Sequence, residues 1–343
     1  MERRILGRTG VGVSTYGLGT MVLGAWGNTD HDACHRIIHR ALDAGINFVD
    51  TADVYAAGES EEIVGAALAG RRDDVVLATK FHNPMGADVN RRGNSRRWIN
   101  QAVEDSLRRL RTDRIDLYQV HRPDPTTDLA ETIDALTDLV RAGKILMWGT
   151  STFPAEDLVD VCRVAERRGV AAAHAEQPPY SILARGIERD VLPVCRRERI
   201  GVVTWSPLSG GWLTGKYRRD RPAPAGSRAD TNPDHFDTEN ADKFDAVDQL
   251  VTIADQAGLT LTQLALAWTI EHPAVTTALL GPRTDAQLDD LLTAVGVVLD
   301  DDVLDAIDDI VAPGVDLNPA DRGWNPPGLD VAQRRRPRPV RPS

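Results

Sequence analysis

Four polar residues of this sequence have types and positions that could carry acid–base chemistry. Asp50, Lys80 and His121 each stand at the end of a short apolar run. Tyr55 follows Asp50 by five residues. A phenol is protonated at neutral pH and a nearby ammonium lowers its pKa, so Tyr55 beside Lys80 could give a proton to a developing alkoxide. An imidazole at His121 could hydrogen-bond the substrate oxygen, while Asp50 would keep Lys80 charged and oriented.

Each of these residues alone also has an ordinary structural explanation. Whether they form one site depends on the strands and helices that carry them. The apolar pattern alternates between a period of two and a period near 3.6 residues, which predicts strands followed by helices. The predicted strands cover 13–20, 46–50, 75–80, 115–120, 144–149, 171–177, 201–205 and 275–281. The predicted helices cover 31–44, 60–69, 96–110, 128–141, 154–167, 187–197, 240–257, 260–271 and 285–294, with an acidic extra helix at 301–310.

About eight strand-then-helix units in a chain of this length favour a closed (β/α)₈ barrel, the TIM barrel, in a single domain over 1–310. We expect an N-terminal β segment and extra helices beside the barrel. An open doubly wound sheet is the alternative, but no G-x-G-x-x-G follows the first strand, and GLGTM at 17–21 has the wrong spacing. In a barrel the four polar residues would converge at the carboxyl ends of the strands.

Two segments lie outside the repeat. Residues 210–240 are rich in Pro, Gly, Arg and Asp, and a loop of this length is typical of a lid or a binding loop. Residues 311–343 are rich in Pro and end with the run RRRPRP near the C-terminus, which predicts a disordered, solvated tail.

Composition excludes several classes of function. Lys and Arg number 40 against 51 Asp and Glu, so the formal charge is −11 and we expect no nucleic-acid partner. No apolar stretch approaches the ~18 residues that would cross a bilayer, and the first residues lack the apolar region of a secretory signal. The three cysteines lie far apart without a C-x-x-C pair, which predicts neither disulfides nor a metal site. We therefore expect a cytoplasmic protein without a membrane partner; nothing indicates an oligomer.

Three motifs give the chain a family resemblance. GINFVDTADVY at 45–55, VVLATK at 75–80 and IDLYQVHRPD at 115–124 together resemble the signatures of the aldo-keto reductases, and the resemblance extends over about residues 7–310. It implies a catalytic tetrad, all four members of which are present: Asp50, Tyr55, Lys80 and His121. It also implies a small-molecule carbonyl substrate and a reduced nicotinamide cofactor that lies across the barrel mouth without a Rossmann domain.

The same resemblance implies a set of cofactor contacts. Ser151 and Gln177 match residues that bind the nicotinamide carboxamide, and Trp205 matches the aromatic residue that stacks on the ring. The positions implied for the rest of the nicotinamide and pyrophosphate half are Thr20, Asp50, Ser206, Pro207, Leu208, Lys216 and Arg228. Those implied for the adenosine 2′-phosphate are Gly281, Arg283 and Gln287. Arg283 favours NADPH, although Leu291 replaces the usual adenine-binding Asn, and Thr152 replaces the Asn or Arg that usually follows Ser151.

The favoured function is therefore NADPH-dependent reduction of an aldehyde or ketone, with keto-sugars and small carbonyl metabolites among the substrates considered. Within the family the chain resembles the potassium-channel β subunits and bacterial relatives at Trp205, at 184–193 and in the run HRPDP at 121–125. An NADPH-binding regulatory subunit with little turnover is therefore the alternative. A third hypothesis is an aldolase that forms a Schiff base through Lys80. The residues that could line the substrate are Trp26, Phe81, His82, Pro84, Met85 and Trp98.

Overall fold

Short apolar runs form a barrel of eight parallel strands in the computed structural model, which describes residues 1–220, 222–231, 240–329 and 334. The strands are β1 (Arg3–Ile5), β2 (Gly12–Ser14), β3 (Tyr16–Gly19), β4 (Phe48–Asp50), β5 (Val76–Phe81), β6 (Ile115–Val120), β7 (Ile145–Ser151), β8 (Ala175–Gln177), β9 (Gly201–Thr204) and β10 (Val275–Leu280). β10 pairs with both β9 and β3. This closes the barrel, so the predicted TIM barrel is confirmed and the open sheet is excluded.

Helices surround the barrel and cover its strands with their apolar faces. They are α1 (His31–Asp43), α2 (Glu59–Ala67), α3 (Arg96–Leu110), α4 (Leu129–Arg141), α5 (Ala155–Arg168), α6 (Val191–Glu198), α7 (Arg228–Thr231), α8 (Ala241–Gln256), α9 (Leu261–Glu271), α10 (Asp285–Leu292) and α11 (Asp301–Ile310). Several begin at side-chain caps; Ser95, for example, accepts a hydrogen bond from the backbone of Trp98. In the described part of the chain no single helix is long and apolar enough to cross a bilayer, and α8 with α9 pass such a test only jointly, across a 93° bend.

The antiparallel hairpin β1–β2 closes the amino end of the barrel. Its Leu6 and Val13 pack into the apolar interior beside Phe48 and Leu117. Gly7 sits so close to the strand ends that a Cβ there would lie 2.7 Å from the backbone nitrogen of Gly201. Because one end is sealed in this way, a ligand must enter from the opposite, carboxyl end.

Three predicted elements differ most from the structure. The strand predicted over 13–20 divides at Thr15, whose backbone nitrogen bonds the Glu2 carbonyl, into hairpin strand β2 and barrel strand β3. The helix predicted over 187–197 begins only at Val191. Pro193 explains this start, because it lacks an N–H and is tolerated only in the first turn of a helix. The strand predicted over 171–177 is formed only at 175–177.

The described part of the C-terminal segment, residues 312–329, forms a strap across the barrel mouth. The backbone nitrogen of Leu317 bonds the Leu183 carbonyl at 3.1 Å, and Lys243 pairs with Asp321 at 2.7 Å. These contacts order residues 312–329 of the segment that the sequence predicts to be a tail. The arginine-rich run at 335–339 and part of the predicted long loop, 221 and 232–239, lie outside the described residues.

Candidate active site

Lys80 lies at the centre of a buried polar cluster at the carboxyl end of the barrel. Its side chain is fully buried, and Nζ donates to Asp50 Oδ1 at 2.6 Å and to the Tyr55 hydroxyl at 3.2 Å. Burial alone would lower the pKa of Lys80, but the neighbouring Asp50 and Tyr55 outweigh it and raise that pKa above its ordinary value. Lys80 is therefore an ammonium group at neutral pH.

Two amide side chains hold the second carboxylate oxygen of Asp50. Gln177 Nε2 donates to Asp50 Oδ2 at 2.8 Å, and Gln119 Nε2 donates to the same oxygen at 3.1 Å. Both amides are buried. The Asp50 carboxylate thus has the Lys80 ammonium on one oxygen and two amides on the other, as a buried charge requires. Gln119 was not among the predicted site residues.

Tyr55 faces the mouth between two other rings. Its ring centroid is 5.9 Å from that of His121, in an edge-on arrangement, and 6.0 Å from that of Trp26. Burial raises the pKa of Tyr55 above its ordinary value, and this effect exceeds the lowering by Lys80. The lowering that the sequence suggests is thus outweighed, and Tyr55 is a protonated phenol that can donate.

His121 is buried beside two cations. Burial, Lys80 and Arg122 hold the pKa of His121 well below its ordinary value, so its imidazole is neutral at pH 7. The side-chain amide of Asn83 donates to His121 Nδ1 at 3.1 Å. Because Nδ1 accepts this bond, the single ring proton resides on Nε2.

The barrel itself aligns these groups. Asp50 is in register with Ala78 across β4 and β5, and Lys80 is in register with Gln119 across β5 and β6. Adjacent parallel strands end at the same edge, so the polar residues that end them meet there. Thr20, which follows β3 directly, is fully buried and donates to the Asp50 carbonyl at 3.1 Å.

The turn after β4 presents the phenol. Tyr55 opens a short 3₁₀ turn in which Ala56 and Ala57 have φ values of 48° and 56°. Such left-handed backbone is unfavourable for alanine and persists where surrounding structure enforces it, typically at functional sites.

The predicted carboxamide-binding residues lie next to the tetrad. Ser151 and Gln177 are paired across β7 and β8, and Ser151 Oγ donates to the Gln177 carbonyl at 2.9 Å. Trp205 is half-buried just after β9, where its backbone nitrogen bonds the Pro178 carbonyl at 3.0 Å. Thr152 has a φ of 59°, so the chain turns sharply beside Ser151.

Three cations gather at the far side of the mouth. Burial, Arg283 and Arg228 together lower the pKa of Lys216. Within the described ranges none of the three forms an ion pair with a carboxylate. Arg283 Nη1 donates to the Gly226 carbonyl at 2.9 Å, and the Arg283 backbone nitrogen donates to Gln287 Oε1 at 2.8 Å. Such a group of unpaired cations suits an anionic ligand.

A cavity of about 590 Å³ lies beside Trp205 and Arg228. Ser206, Ser209 and Asp321 of the strap also line it. Ser206 and Ser209 both have positive φ, at 57° and 46°. Pro207, Leu208 and Gly281 lie on the same two loops, after β9 and β10.

Three of the residues proposed to line the substrate divide between the mouth and the core. Trp26 is 54% exposed at the mouth beside Tyr55. Phe81 and Trp98 are buried, and Phe81 stacks on Tyr118 at 4.9 Å, so both belong to the core. Leu291 also packs into the core.

A model of the Aldo/keto reductase family matches residues 16–312. The chain belongs to this family. This aldo/keto reductase is 39% identical to an uncharacterized oxidoreductase, YrpG, of Bacillus subtilis, over 90% of this chain and 96% of the relative. It is 37% identical to the aldo-keto reductase YhdN of the same organism, over 87% and 90%. It is 36% identical to a putative voltage-gated potassium channel subunit beta of Schizosaccharomyces pombe, over 90% and 92%.

The resemblance stated from the motifs is therefore confirmed, and the protein is an NAD(P)H-dependent oxidoreductase. Sequence reasoning missed three polar residues that contact the tetrad, which are Gln119, Asn83 and Arg122. Gln119 on β6 precedes His121 by two residues, so the alternation of a strand could have placed both on the same side. The other two carry no signal in the spacing.

Proposed function

We propose that this aldo/keto reductase reduces an aldehyde or a ketone to the alcohol and uses NADPH, which becomes NADP⁺. The observation that carries the proposal is the Lys80 ammonium held between the Asp50 carboxylate and the Tyr55 hydroxyl. A protonated phenol next to a fixed cation can lose its proton to an alkoxide at low cost, because the ammonium stabilises the phenolate that remains.

When bound, the cofactor would supply the hydride that the carbonyl carbon accepts. Tyr55 donates its hydroxyl proton to the carbonyl oxygen, and Lys80 stabilises the resulting phenolate until a proton returns. His121, neutral with its proton on Nε2, donates a hydrogen bond to the same oxygen and orients the carbonyl. Asp50 keeps Lys80 charged and in place throughout.

The residues present suit a dinucleotide that carries a 2′-phosphate. Ser151 and Gln177 would bind the carboxamide, and Trp205 would stack on the nicotinamide ring. The loop after β9, with Lys216 and Arg228, would hold the pyrophosphate. Arg283, which has no carboxylate partner in the described chain, would bind the 2′-phosphate beside the amino end of α10.

A cofactor-binding regulatory subunit is the second candidate, because relatives of 36% identity are named potassium channel β subunits. The complete tetrad, and His121 in particular, favours turnover over this role. The aldolase alternative is disfavoured, because the pKa of Lys80 is raised and a charged, buried amine is a poor nucleophile. The acidic, cysteine-poor chain suits work in the cytoplasm.

Steady oxidation of NADPH by a panel of aldehydes, ketones and keto-sugars tests the proposal. We expect multiple turnovers with at least one member, and none with Lys80→Met, which removes the ammonium but keeps the length of the side chain. NADPH binding without turnover across the whole panel would instead support the regulatory role.

A further inference from the structure

Arg122 places a guanidinium at the barrel mouth directly beside the tetrad. It follows His121 after the end of β6, and Nη1 donates to the His121 carbonyl at 2.6 Å. Nη1 also donates to Thr152 Oγ1 at 3.2 Å, in the turn after β7. These two bonds fix one nitrogen of the guanidinium between two strand ends that border the site.

The rest of this guanidinium has no partner in the described part of the chain. Arg72, Arg109 and Arg185 also have largely buried side chains, and they pair with Asp116 at 2.7 Å, Glu61 at 2.7 Å and Glu188 at 2.9 Å. Arg122 has no carboxylate within ion-pair distance among the described residues, and both of its hydrogen bonds within these residues use Nη1. A half-buried cation without a counter-charge is costly for folding. Such a group is commonly found where a protein binds an anionic ligand.

The nearby acidic group does not neutralise this charge. Glu176 is fully buried, and its two oxygens accept hydrogen bonds from Thr150 Oγ1 and from the Phe153 backbone nitrogen. Burial raises the pKa of Glu176 to about 7, so the carboxyl is partly protonated in neutral solution. The mouth next to Tyr55 and His121 is therefore electropositive.

We propose that Arg122 binds an anionic oxygen group, a carboxylate or a phosphate ester, on the carbonyl substrate, and so makes this reductase prefer anionic aldehydes or ketones. The inference rests on the proposed function and specifies its substrate class. The anionic group takes no part in the reduction. The free edge of the guanidinium offers parallel N–H donors, which match a carboxylate or a phosphate in geometry and charge.

Substrates of similar shape and different charge test the proposal. Benzaldehyde, 4-carboxybenzaldehyde and 4-(trimethylammonio)benzaldehyde compare neutral, anionic and cationic rings, and glyceraldehyde is compared with its 3-phosphate. We expect kcat/KM of the parent to be highest for the anionic members. Arg122→Gln should lower kcat/KM for these members by at least ~10-fold, the usual scale for a charge-assisted hydrogen bond. Its effect on neutral members should stay within about threefold by the same scale.

Two variants and one binding measurement sharpen the test. Arg122→Lys should restore part of the anion preference, because it keeps the charge without the planar edge. Arg97→Gln, at an exposed arginine of α3, makes the same change in net charge and should leave the preference unchanged. Benzoate should bind the protein with NADP⁺ more tightly than benzamide does, and Arg122→Gln should abolish the difference.

Each outcome decides between the two proposals. If the parent reduces neutral and anionic members equally well, the anion inference is wrong while the reductase proposal stands. Equal losses for all substrates in Arg122→Gln, or weaker NADPH binding, would show that Arg122 positions His121 or serves the cofactor. If no substrate is reduced, the reductase proposal fails, and the benzoate comparison still decides whether Arg122 binds anions.

Discussion

Gln177 donates its side-chain amide to Asp50 Oδ2 at 2.8 Å, across the width of the barrel mouth. The residue proposed to bind the nicotinamide carboxamide is thus bonded to the carboxylate that holds Lys80. A substitution of Gln177 should therefore affect both cofactor binding and the position of the Asp50 carboxylate. Gln119 donates to the same Asp50 oxygen at 3.1 Å, but it is proposed to make no contact with the cofactor, so it provides a control.

The two amides should accordingly differ in their effects on cofactor binding. Gln177→Leu should lower kcat and weaken NADPH binding, each by roughly tenfold, because a hydrogen bond to a charged group contributes ~1.5–3 kcal/mol. Gln119→Leu should lower kcat while the Kd for NADPH stays near that of the parent. Fluorescence titration and steady-state kinetics measure both. Equal weakening of NADPH binding in the two variants would contradict the assignment of Gln177.

Stability should depend on pH through Glu176. Burial raises its pKa from 4.5 to about 7. Between these two pH values the folded state keeps a proton on Glu176 that the unfolded state has released. The contribution is complete below pH 4.5 and is lost as the pH rises to about 7, by up to about 3 kcal/mol in the free energy of unfolding. Glu176→Gln should remove this slope, and urea unfolding at several pH values measures it. Identical slopes in parent and variant would show that the pKa of Glu176 is not raised in the folded state.

The strap should matter for the ring proposed to stack on the nicotinamide. A Cβ at Gly323 would lie 2.6 Å from Trp205 Cζ2, and Gly323 has a φ of 75°. We expect Gly323→Ala to displace Trp205 and to lower kcat/KM by at least ~10-fold, since small misplacements are costly in catalysis. Gly258→Ala is the control, because its φ of 69° carries the same strain and no atom lies within 4 Å. Similar activity losses in both variants would argue for backbone strain alone.

Cofactor preference should depend on Arg283. Arg283→Ala should reduce the preference for NADPH over NADH by roughly ten- to a hundredfold, the scale of a charge-assisted hydrogen bond. The loss should come from weaker NADPH binding, with the Kd for NADH almost unchanged. Arg197→Ala, at an exposed arginine that pairs with its neighbour Glu198, controls for net charge. An unchanged ratio would mean that Arg283 does not contact the 2′-phosphate.

Much of the barrel follows from local sequence. Helix α3 was predicted with its exact bounds, because Ser95 caps its start and apolar residues recur at helical spacing up to Leu110. The alternation of strands and helices was enough to predict the closed barrel, and the apolar runs were enough to predict that Asp50 and Lys80 lie at strand ends. For these features the hydrophobic pattern of the sequence and the tertiary structure agree.

Other features depend on contacts between segments that are distant in sequence. Asn83 reaches His121, and Arg122 reaches Thr152, only after β5, β6 and β7 lie side by side. The strap looked disordered because its Pro-rich composition resembles a linker, yet the ion pair of Lys243 with Asp321 anchors it. Composition and periodicity carry no information about such long-range pairs.

The central claim is that Tyr55 donates the proton that completes carbonyl reduction, and Tyr55→Phe tests it most directly. The substitution removes one hydroxyl and keeps the ring between Trp26 and His121. The rate of NADPH oxidation with a good carbonyl substrate should be measured in parent and variant, along with the Kd for NADPH. We predict a fall in kcat of at least ~10²-fold, the usual scale for a lost general acid, with cofactor affinity nearly unchanged. A variant that retains near-parent turnover would contradict the account.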